Sequence, residues 1–140
     1  MTFKETEFDG LFEVIPQKHG DDRGYFLETY HKEKFSDAGI NYDFLQDNQS
    51  FSVKNTLRGL HLQRPPHQQV KYVRVLKGKV LDVVVDLRQE SKTFGKYYSK
   101  VLSEENQHGL VVPGEFAHGF LALEDSVFCY KCSNLYNKAS

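Results

Sequence analysis

The sequence predicts an all-β fold, a sandwich or a barrel, with little helix. Short runs rich in Val, Tyr, Phe and Leu recur along the chain, which is typical of strands. Ten Gly and four Pro residues are scattered between these runs and are not collected in a linker. Eight Tyr and eleven Phe residues make up 14% of the chain, so large apolar side chains are available for a core.

Eight runs bounded by turn residues predict strands. In chain order they cover residues 12–15, 24–30, 57–63, 70–76, 79–87, 109–112, 116–123 and 127–132. The pair Lys77-Gly78 between two Val-rich runs has the spacing of a tight hairpin, because Gly adopts the positive φ that such turns require. Residues 31–38, followed by Gly39, have a helical pattern.

Length and charge restrict the classes of function. The 140 residues match one domain of ordinary size, so we expect a single domain over residues 1–140. A formal net charge of −1 argues against nucleic acid or an anionic membrane as the main partner. The first residues do not resemble a secretory signal, and the apolar runs are far shorter than the ~20 residues of a membrane helix. We therefore expect a soluble, cytoplasmic protein.

Cys129 and Cys132 have the spacing of a redox or zinc pair. On a strand, however, residues three positions apart face opposite sides. Two cysteines also cannot form a disulfide framework or complete a four-cysteine zinc site. We therefore expect neither chemistry from this pair.

Strand periodicity places two carboxylates on one face of residues 79–87. Asp82 and Asp86 share that face with Val84, and the apolar odd-numbered residues lie opposite. The pattern is compatible with a polar interior lined by carboxylates and equally with a solvated face.

Arg58 and His61 lie close together in a predicted strand. A guanidinium and an imidazole could together bind an anion and move a proton. Strict alternation would separate the two side chains, but a bulge at Gly59 would bring them to one face. Taken alone, His61 is also compatible with a structural, partly buried histidine, which is the commoner case.

Lys71 shares a strand face with Val73 and Val75. Burial of a lysine is costly unless the ammonium has a partner. One interpretation is a fixed cation directed at developing negative charge. The other, which this run alone favours, is a strand-end lysine whose ammonium extends to water.

Two later segments carry further candidates. A Pro-Gly turn leads into the strand that bears His118, and the adjacent Gly119 indicates close approach of backbone or ligand. Tyr130 and Tyr136 share strand parity, and they could contact one elongated ligand only if the chain bends between them. Tyr is also common on half-buried strands, so parity alone does not assign a function.

Segments spread over almost the whole chain match the motifs of one known family. They are residues 22–28, 46–50, 58–63 (RGLHLQ), 69–71, 78–88, 91–96, 112–120 and 130–132. In these segments the sequence resembles the dTDP-4-dehydrorhamnose 3,5-epimerases, a metal-free branch of the cupins. So many ordered motifs are far more specific than any one of them. The resemblance implies a cupin-type double-stranded β-helix, which is a jelly-roll barrel.

The resemblance implies an isomerase that needs no cofactor. It inverts C3 and C5 of dTDP-4-dehydro-6-deoxyglucose by removing and replacing protons beside the ketone, and so supplies deoxysugar for surface polysaccharide. His61 matches the family's catalytic base, Tyr130 the acid on the other face, and Lys71 the cation near the C4 oxygen. A histidine suits the first role because its ordinary pKa lies near neutral pH. The sequence contains no nicotinamide fingerprint or phosphate loop.

Further matches imply contacts to the nucleotide sugar. Arg58 and Arg23 match residues that contact its diphosphate, and Tyr136 matches an aromatic residue that stacks on thymine. Other matched ligand contacts are Glu28, Gln46, Asn48 and His118. The resemblance also implies a homodimer, because in this family the positions of Arg23, Glu28, Gln46 and Asn48 reach into the neighbouring subunit's site.

Two departures from related patterns bear on the site. Metal-binding cupins carry His-x-His where this chain has His61-x-Gln63, so we expect no metal. Family members also continue with a segment that supplies the aspartate paired with the catalytic histidine, whereas this sequence ends at Ser140. Asp82 or Asp86 could orient His61 or His118 instead.

Three alternatives to the double epimerase remain. A C3-only epimerase is the nearest. A 3,4-ketoisomerase is disfavoured, because those enzymes carry more histidine after the Arg-Gly pair than the single His61 found here. A sugar-nucleotide binding module without turnover is the alternative from a different class.

Overall fold

Two antiparallel sheets face each other and enclose the main core. The structure, a computed structural model, describes residues 1–134. In chain order its elements are β1 (Thr2–Glu5), β2 (Phe12–Ile15), β3 (Lys18–Asp21), β4 (Gly24–Leu27), α1 (Lys32–Asp37), β5 (Gln46–Ser52), β6 (Leu57–His61), β7 (Lys71–Lys77), β8 (Lys79–Asp86), β9 (Tyr97–Ser103), β10 (Gly109–Val112), β11 (Phe116–Ala122) and β12 (Ser126–Cys132). The prediction of an all-β fold with little helix is confirmed.

The larger sheet has six strands in the order β1-β2-β10-β7-β12-β5. The smaller sheet has four strands in the order β6-β11-β8-β9, and β3 and β4 form a separate hairpin. Strands that are distant in sequence are neighbours in both sheets, which is the arrangement of a jelly roll. The cupin-type fold implied by the resemblance is therefore confirmed.

The strands that the sequence did not predict lie where strands tolerate polar residues. Strands β1 and β5 are the two edges of the larger sheet, β9 is an edge of the smaller sheet, and β3 belongs to the exposed hairpin. Edge strands carry charged and polar side chains that protect them from pairing with other chains, so their apolar pattern is weak. By contrast, β2 and β10 lie inside the larger sheet and have the predicted bounds.

Gly78 forms a corner between the two sheets. The predicted hairpin at Lys77-Gly78 is wrong, because β7 and β8 belong to different sheets and do not pair. Gly78 has a φ of +84°, and a Cβ atom on it would lie 2.3 Å from the carbonyl oxygen of Asp125. The requirement for glycine at this turn is confirmed, but the turn serves a crossing between layers.

The core between the sheets is built from Val, Leu and Phe. Its buried members include Val73 and Val75 of β7 and Val84 of β8. Phe120 from the smaller sheet stacks on Phe128 from the larger one, with ring centroids 4.4 Å apart. This pair thus links the two layers.

Helix α1 packs on the outer face of the larger sheet. Its buried Phe35 contacts Tyr72, with ring centroids 5.0 Å apart and the rings nearly perpendicular. His31 caps the helix, because its Nδ1 accepts a hydrogen bond from the Lys34 backbone N–H over 3.3 Å. The helix is six residues long, and within residues 1–134 no helix has the length and hydrophobicity that a membrane crossing takes.

Candidate active site

A cavity of about 500 Å³ lies between the sheets, with walls from β5, β6, β7, β11 and β12. The residues predicted from the sequence that line it are Gln46, Asn48, Arg58, His61, Lys71, His118 and Tyr130. The structure thus brings the three residues predicted to be catalytic into one cavity. Ligand pockets in proteins commonly have volumes of about 300 to 1,000 Å³, so a nucleotide sugar could enter in part or whole.

Strand β6 contains the predicted bulge. His61 pairs with His118 and Arg58 with Phe120, so β6 holds one more residue than β11 over this stretch. The extra residue cancels the alternation of side chains and turns both Arg58 and His61 towards the cavity.

Glycines allow β6 and β11 to approach closely at this bulge. Gly59 has a φ of +93°, and a Cβ atom there would lie 2.6 Å from the carbonyl oxygen of His118. A Cβ atom on Gly119 would lie 2.6 Å from the carbonyl oxygen of Arg58. The close approach predicted at Gly119 is therefore one of backbone to backbone.

The Arg58 guanidinium is held by strand β5 of the opposite sheet. Its Nε donates to Ser52 Oγ over 2.7 Å, and its Nη2 donates to the Phe51 carbonyl oxygen over 3.2 Å. These contacts fix a positive charge at the cavity wall. A preorganised guanidinium is well suited to bind phosphate oxygens.

His118 and Asp82 form a buried pair in the floor of the cavity. His118 Nε2 lies 2.7 Å from Asp82 Oδ1. Because a carboxylate only accepts, Nε2 carries the proton of this hydrogen bond, and Nδ1 is left for a different partner. The second carboxylate oxygen, Oδ2, is also buried and has no hydrogen-bond partner among residues 1–134. The sequence left Asp82 or Asp86 as the carboxylate that orients His61 or His118. The structure pairs Asp82 with His118.

Asp86 has a structural environment away from the cavity. Both Asp82 and Asp86 are fully buried, so the interpretation of their face as solvated is wrong. Asp86 accepts hydrogen bonds from Arg88, Ser91 and Thr93. Burial raises the pKa of Asp86, but these donors outweigh burial and hold the pKa well below its usual value.

Lys71 lines the cavity and does not extend freely to water. Burial lowers the pKa of its ammonium, and the Cys132 thiol and the Asp82 carboxylate act in the opposite direction. Its Nζ lies 5.3 Å from the centroid of the Tyr130 ring, within the range of a cation–π contact. Lys71 is half-buried and directed at the cavity, which favours a fixed cation over a snorkelling lysine.

Tyr130 lies beside Lys71 on the larger sheet and faces Asn48 across the β5–β12 ladder. Burial raises the pKa of Tyr130, and a hydrogen bond from Asn48 opposes that rise. A tyrosine with a raised pKa stays protonated at neutral pH and can give a proton.

The His61 ring has no hydrogen-bond partner within residues 1–134 and is exposed at the cavity. It belongs to the smaller sheet, whereas Tyr130 belongs to the larger one. The two side chains therefore approach the cavity from opposite walls. A small molecule held between them can be deprotonated on one face and protonated on the other.

Arg23 and Glu28 lie outside this cavity. Arg23, in the turn of the β3–β4 hairpin, pairs with Asp21 over 2.7 Å, and its side chain is 90% exposed. Glu28 pairs with Lys34 over 2.7 Å. Neither side chain is close enough to line the site of its own chain.

Gln46 and Asn48 line the cavity of their own chain. The expectation that these two residues reach into a neighbouring subunit's site stays a prediction. Tyr136 lies outside the described residues, so its predicted stacking role stays a prediction.

Sequence reasoning missed several lining residues. They are Gln49, Ser50, Gln69, Phe120 and Phe128. A signal for β5 was present, since Gln46, Asn48 and Ser50 alternate along the chain as residues on one face of a strand do. No comparable signal marks Phe120 and Phe128, which resemble ordinary core residues in the sequence.

The two cysteines are free and separated. Cys132 is buried beside Lys71, whereas Cys129 lines a shallow groove on the outer face of the larger sheet. Within residues 1–134 no three His, Cys, Asp or Glu side chains group as metal ligands.

A family sequence model described as dTDP-4-dehydrorhamnose 3,5-epimerase matches residues 5–140 of this chain. The chain belongs to this family. It is 46% identical over 136 residues to the dTDP-4-dehydrorhamnose 3,5-epimerase of Methanothermobacter thermautotrophicus, covering 96% of this chain and 73% of the relative. Family members are isomerases, so the chain is an epimerase-family enzyme.

Solved structures of relatives have the same fold. The Bacillus anthracis dTDP-4-dehydrorhamnose 3,5-epimerase, with TDP and PPi bound, superposes with a TM-score of 0.96 at 39% identity, over 99% of this chain and 80% of that one. The Legionella pneumophila dTDP-6-deoxy-D-glucose-3,5-epimerase, in complex with dTDP-4-keto-L-rhamnose, superposes with a TM-score of 0.94 at 41% identity. The latter match covers 99% of this chain and 74% of that one.

Proposed function

We propose that this chain epimerises C3 and C5 of dTDP-4-dehydro-6-deoxyglucose to give dTDP-4-dehydro-rhamnose. The observation that supports it most directly is the position of His61 and Tyr130 on opposite sheets, with Lys71 beside Tyr130 in the same cavity. Inversion at carbon requires a base and an acid on opposite faces of the ring. The names of the relatives support the same substrate class.

The chemistry follows from the acidity of protons next to a ketone. His61 removes a proton from C3 or C5, and the electron pair of the broken C–H bond passes to the C4 oxygen as an enolate. Lys71 stabilises that oxyanion, and Tyr130 returns a proton to the carbon from the other side. A positioned base contributes ~10² to 10⁴ in rate, and a preorganised charge at an oxyanion contributes ~3 kcal/mol.

The diphosphate and base of the substrate require contacts outside the reacting centre. Arg58 is anchored by Ser52 and directed at the cavity, so it suits one phosphate group. His118 uses Nε2 for Asp82, so its Nδ1 is available to contact a sugar hydroxyl. Tyr136 would stack on the thymine ring.

The β3–β4 hairpin supports assembly as a homodimer with shared sites. Arg23 is almost fully exposed at its tip, and Tyr25 and Phe26 are 52% and 72% exposed. Large apolar side chains on a protruding hairpin favour burial against a partner. In a dimer the hairpin would carry Arg23 and Glu28 to the partner's cavity, where their own chain cannot place them.

The remaining parts of the proposal concern the setting of the enzyme. One domain over residues 1–140 would act in the cytoplasm without a cofactor, and its product would serve deoxysugar synthesis for a surface polysaccharide.

Hydrogen exchange at the substrate tests the proposed reaction. The protein is incubated with dTDP-4-keto-6-deoxyglucose in D₂O, and deuterium at C3 and C5 is followed by NMR. Label at both carbons with inversion supports the proposal, and label at C3 alone indicates a C3-only epimerase. Tight binding of the nucleotide sugar without deuterium incorporation would indicate a sugar-nucleotide binding module without turnover.

His61→Ala is the matched variant for this experiment. We expect it to abolish exchange at both carbons with little change in thermal stability, because the ring is exposed and has no described partner. A large loss of thermal stability in this variant would indicate that His61 has a structural role.

A further inference from the structure

Three polar side chains form a hydrogen-bonded row in the cavity wall. Gln46 Nε2 donates to Asn48 Oδ1 over 2.9 Å. Asn48 then faces β12, where Tyr130 is its direct partner across the ladder. The Asn48 Nδ2 also lies 3.9 Å from the Cys132 sulfur on the same strand.

The direction of this row follows from the chemistry of an amide. One end of an asparagine side chain accepts and the other end donates. Gln46 donates to the accepting end of Asn48, so the donating end faces β12, where Nδ2 contacts Cys132 and Tyr130 lies directly opposite Asn48. A hydroxyl oxygen that accepts an N–H keeps its own proton available for a different acceptor.

We propose that Asn48 is a positioning residue that makes Tyr130 a proton donor to the substrate, with Gln46 fixing the orientation of the Asn48 amide. This inference rests on the proposed epimerase function and assigns the residue that controls its second half. Proton abstraction by His61 does not require the row. Net inversion does, because it requires delivery from the Tyr130 side.

The proton balance of this half-reaction is simple. Tyr130 gives its hydroxyl proton to the carbanionic carbon, the enolate electron pair forms the new C–H bond, and the C4 carbonyl is restored. The phenolate left behind accepts the Asn48 N–H and lies near the Lys71 ammonium. Water in the cavity then returns a proton to the phenolate, and His61 releases to water the proton that it removed.

The row also explains how the half-buried phenol of Tyr130 can ionise during turnover. Burial raises the pKa of Tyr130, which opposes formation of the phenolate. The Asn48 hydrogen bond acts against that rise. If Asn48 accepted from Tyr130 instead, it would stabilise the neutral phenol and add to the effect of burial.

The ionisation of Tyr130 tests the direction of the hydrogen bond without turnover. The protein is labelled with ¹³C at tyrosine Cζ, and the Tyr130 signal is assigned with Tyr130→Phe. We expect Asn48→Ala to raise the Tyr130 pKa, because a donor to the phenolate is lost. A lowered or unchanged pKa overturns the proposal, since it means that Asn48 does not donate to Tyr130.

Catalysis tests the consequence for stereochemistry. In Asn48→Asp, a carboxylate accepts the Tyr130 proton and draws it away from the substrate. We expect exchange of deuterium at C5 to continue through His61, while net inversion at C5 falls ~10²-fold or more. We expect Gln46→Glu to lower net inversion in the same way. A carboxylate at residue 46 accepts a hydrogen bond from the Asn48 NH₂ group, so the Asn48 amide turns round and its oxygen faces Tyr130.

The matched control is Asp47→Asn, an Asp/Asn exchange one residue away on the opposite face of β5, where Asp47 pairs with Lys131. We expect it to leave both rates unchanged. Unchanged inversion in Asn48→Asp, or a parallel loss of exchange, inversion and dTDP affinity by calorimetry, overturns the proposal. If the unmodified protein shows no exchange, the proposed epimerase function is contradicted. The Tyr130 ionisation experiment then still tests the role of Asn48, because it does not depend on turnover.

Discussion

Asp82 Oδ1 lies 2.7 Å from His118 Nε2, and both side chains are buried beneath the cavity. Removal of one partner from a buried hydrogen bond leaves the other without compensation. We therefore expect Asp82→Ala to lower the free energy of unfolding by about 1–3 kcal/mol, measured by urea denaturation. The control is Asp47→Ala, which breaks the exposed pair with Lys131 and should cost less than about 1 kcal/mol. Equal losses in the two variants would contradict a buried role for Asp82.

Lys71→Met should raise stability and lower activity. The lysine carries a positive charge into a half-buried site, and burial lowers its pKa from the ordinary 10.5. Because the folded pKa is below the unfolded one, the contribution of Lys71 to stability improves as pH rises through that interval. A methionine of similar length removes the desolvation cost, so we expect a higher melting temperature at neutral pH. Exchange at C3 and C5 should fall ~10²- to 10³-fold.

The alkaline limb of the pH profile provides a second readout for Lys71. Burial lowers the pKa of the Lys71 ammonium, so we expect loss of its proton to contribute to this limb. Lys71→Arg keeps the positive charge at every accessible pH. We therefore expect the residual activity of this variant to persist to higher pH than the activity of the unmodified enzyme. An unmoved alkaline limb would show that another group sets it.

Gly59→Ala should disrupt the site as well as the strand. The alanine Cβ would lie 2.6 Å from the His118 carbonyl oxygen, in a backbone conformation with φ of +93°. Gly95→Ala is the matched control, because Gly95 has a φ of +79° but no atom within 4 Å of its Cβ position. We expect the control to lose only the ~1–2 kcal/mol of a left-handed conformation. Gly59→Ala should lose more, together with exchange activity, and similar melting curves for both would contradict this.

We expect Asp86→Asn to lower the free energy of unfolding at neutral pH and to reduce the loss of stability on acidification. Burial raises the pKa of Asp86, but hydrogen bonds from Arg88, Ser91 and Thr93 outweigh it, so the folded pKa lies below the ordinary 3.8. A depressed folded pKa contributes stability above the unfolded pKa and loses it as pH falls towards the folded value. Urea denaturation at neutral pH and at values below 3.8 measures both effects. If the variant and the parent lose stability in parallel with acid, the assignment is wrong.

The sequence predicted the all-β fold class and seven of the residues that line the cavity, and its failures have physical causes. The bulge at Gly59 was predictable, because a glycine inside a strand, here between Arg58 and His61, often marks a bulge. Strand β5 was not predicted, since its inner face lines a cavity and its edge is unpaired, so polar residues replace the apolar ones that mark strands.

Pairing between strands was beyond the reach of local patterns. Lys77-Gly78 has the composition of a hairpin, yet the chain crosses there from one sheet to the other. For the same reason parity placed Asp82 on a face but could not identify His118 as its partner, since that contact joins residues on neighbouring strands that are far apart in sequence. The run around Lys71 favoured contact with water because a single strand does not reveal the sheet that covers it.

The stacked rings of Phe120 and Phe128 join the two layers, and each ring follows its own sheet. His61 is carried by one of these sheets and Tyr130 by the other, so the thickness of the sandwich sets the gap across which a sugar ring must fit. Two apolar residues without acid–base chemistry therefore help to set the distance between the two residues that we propose to be catalytic. Substitution of either ring would therefore change the width of this gap while every polar group in the cavity stayed the same.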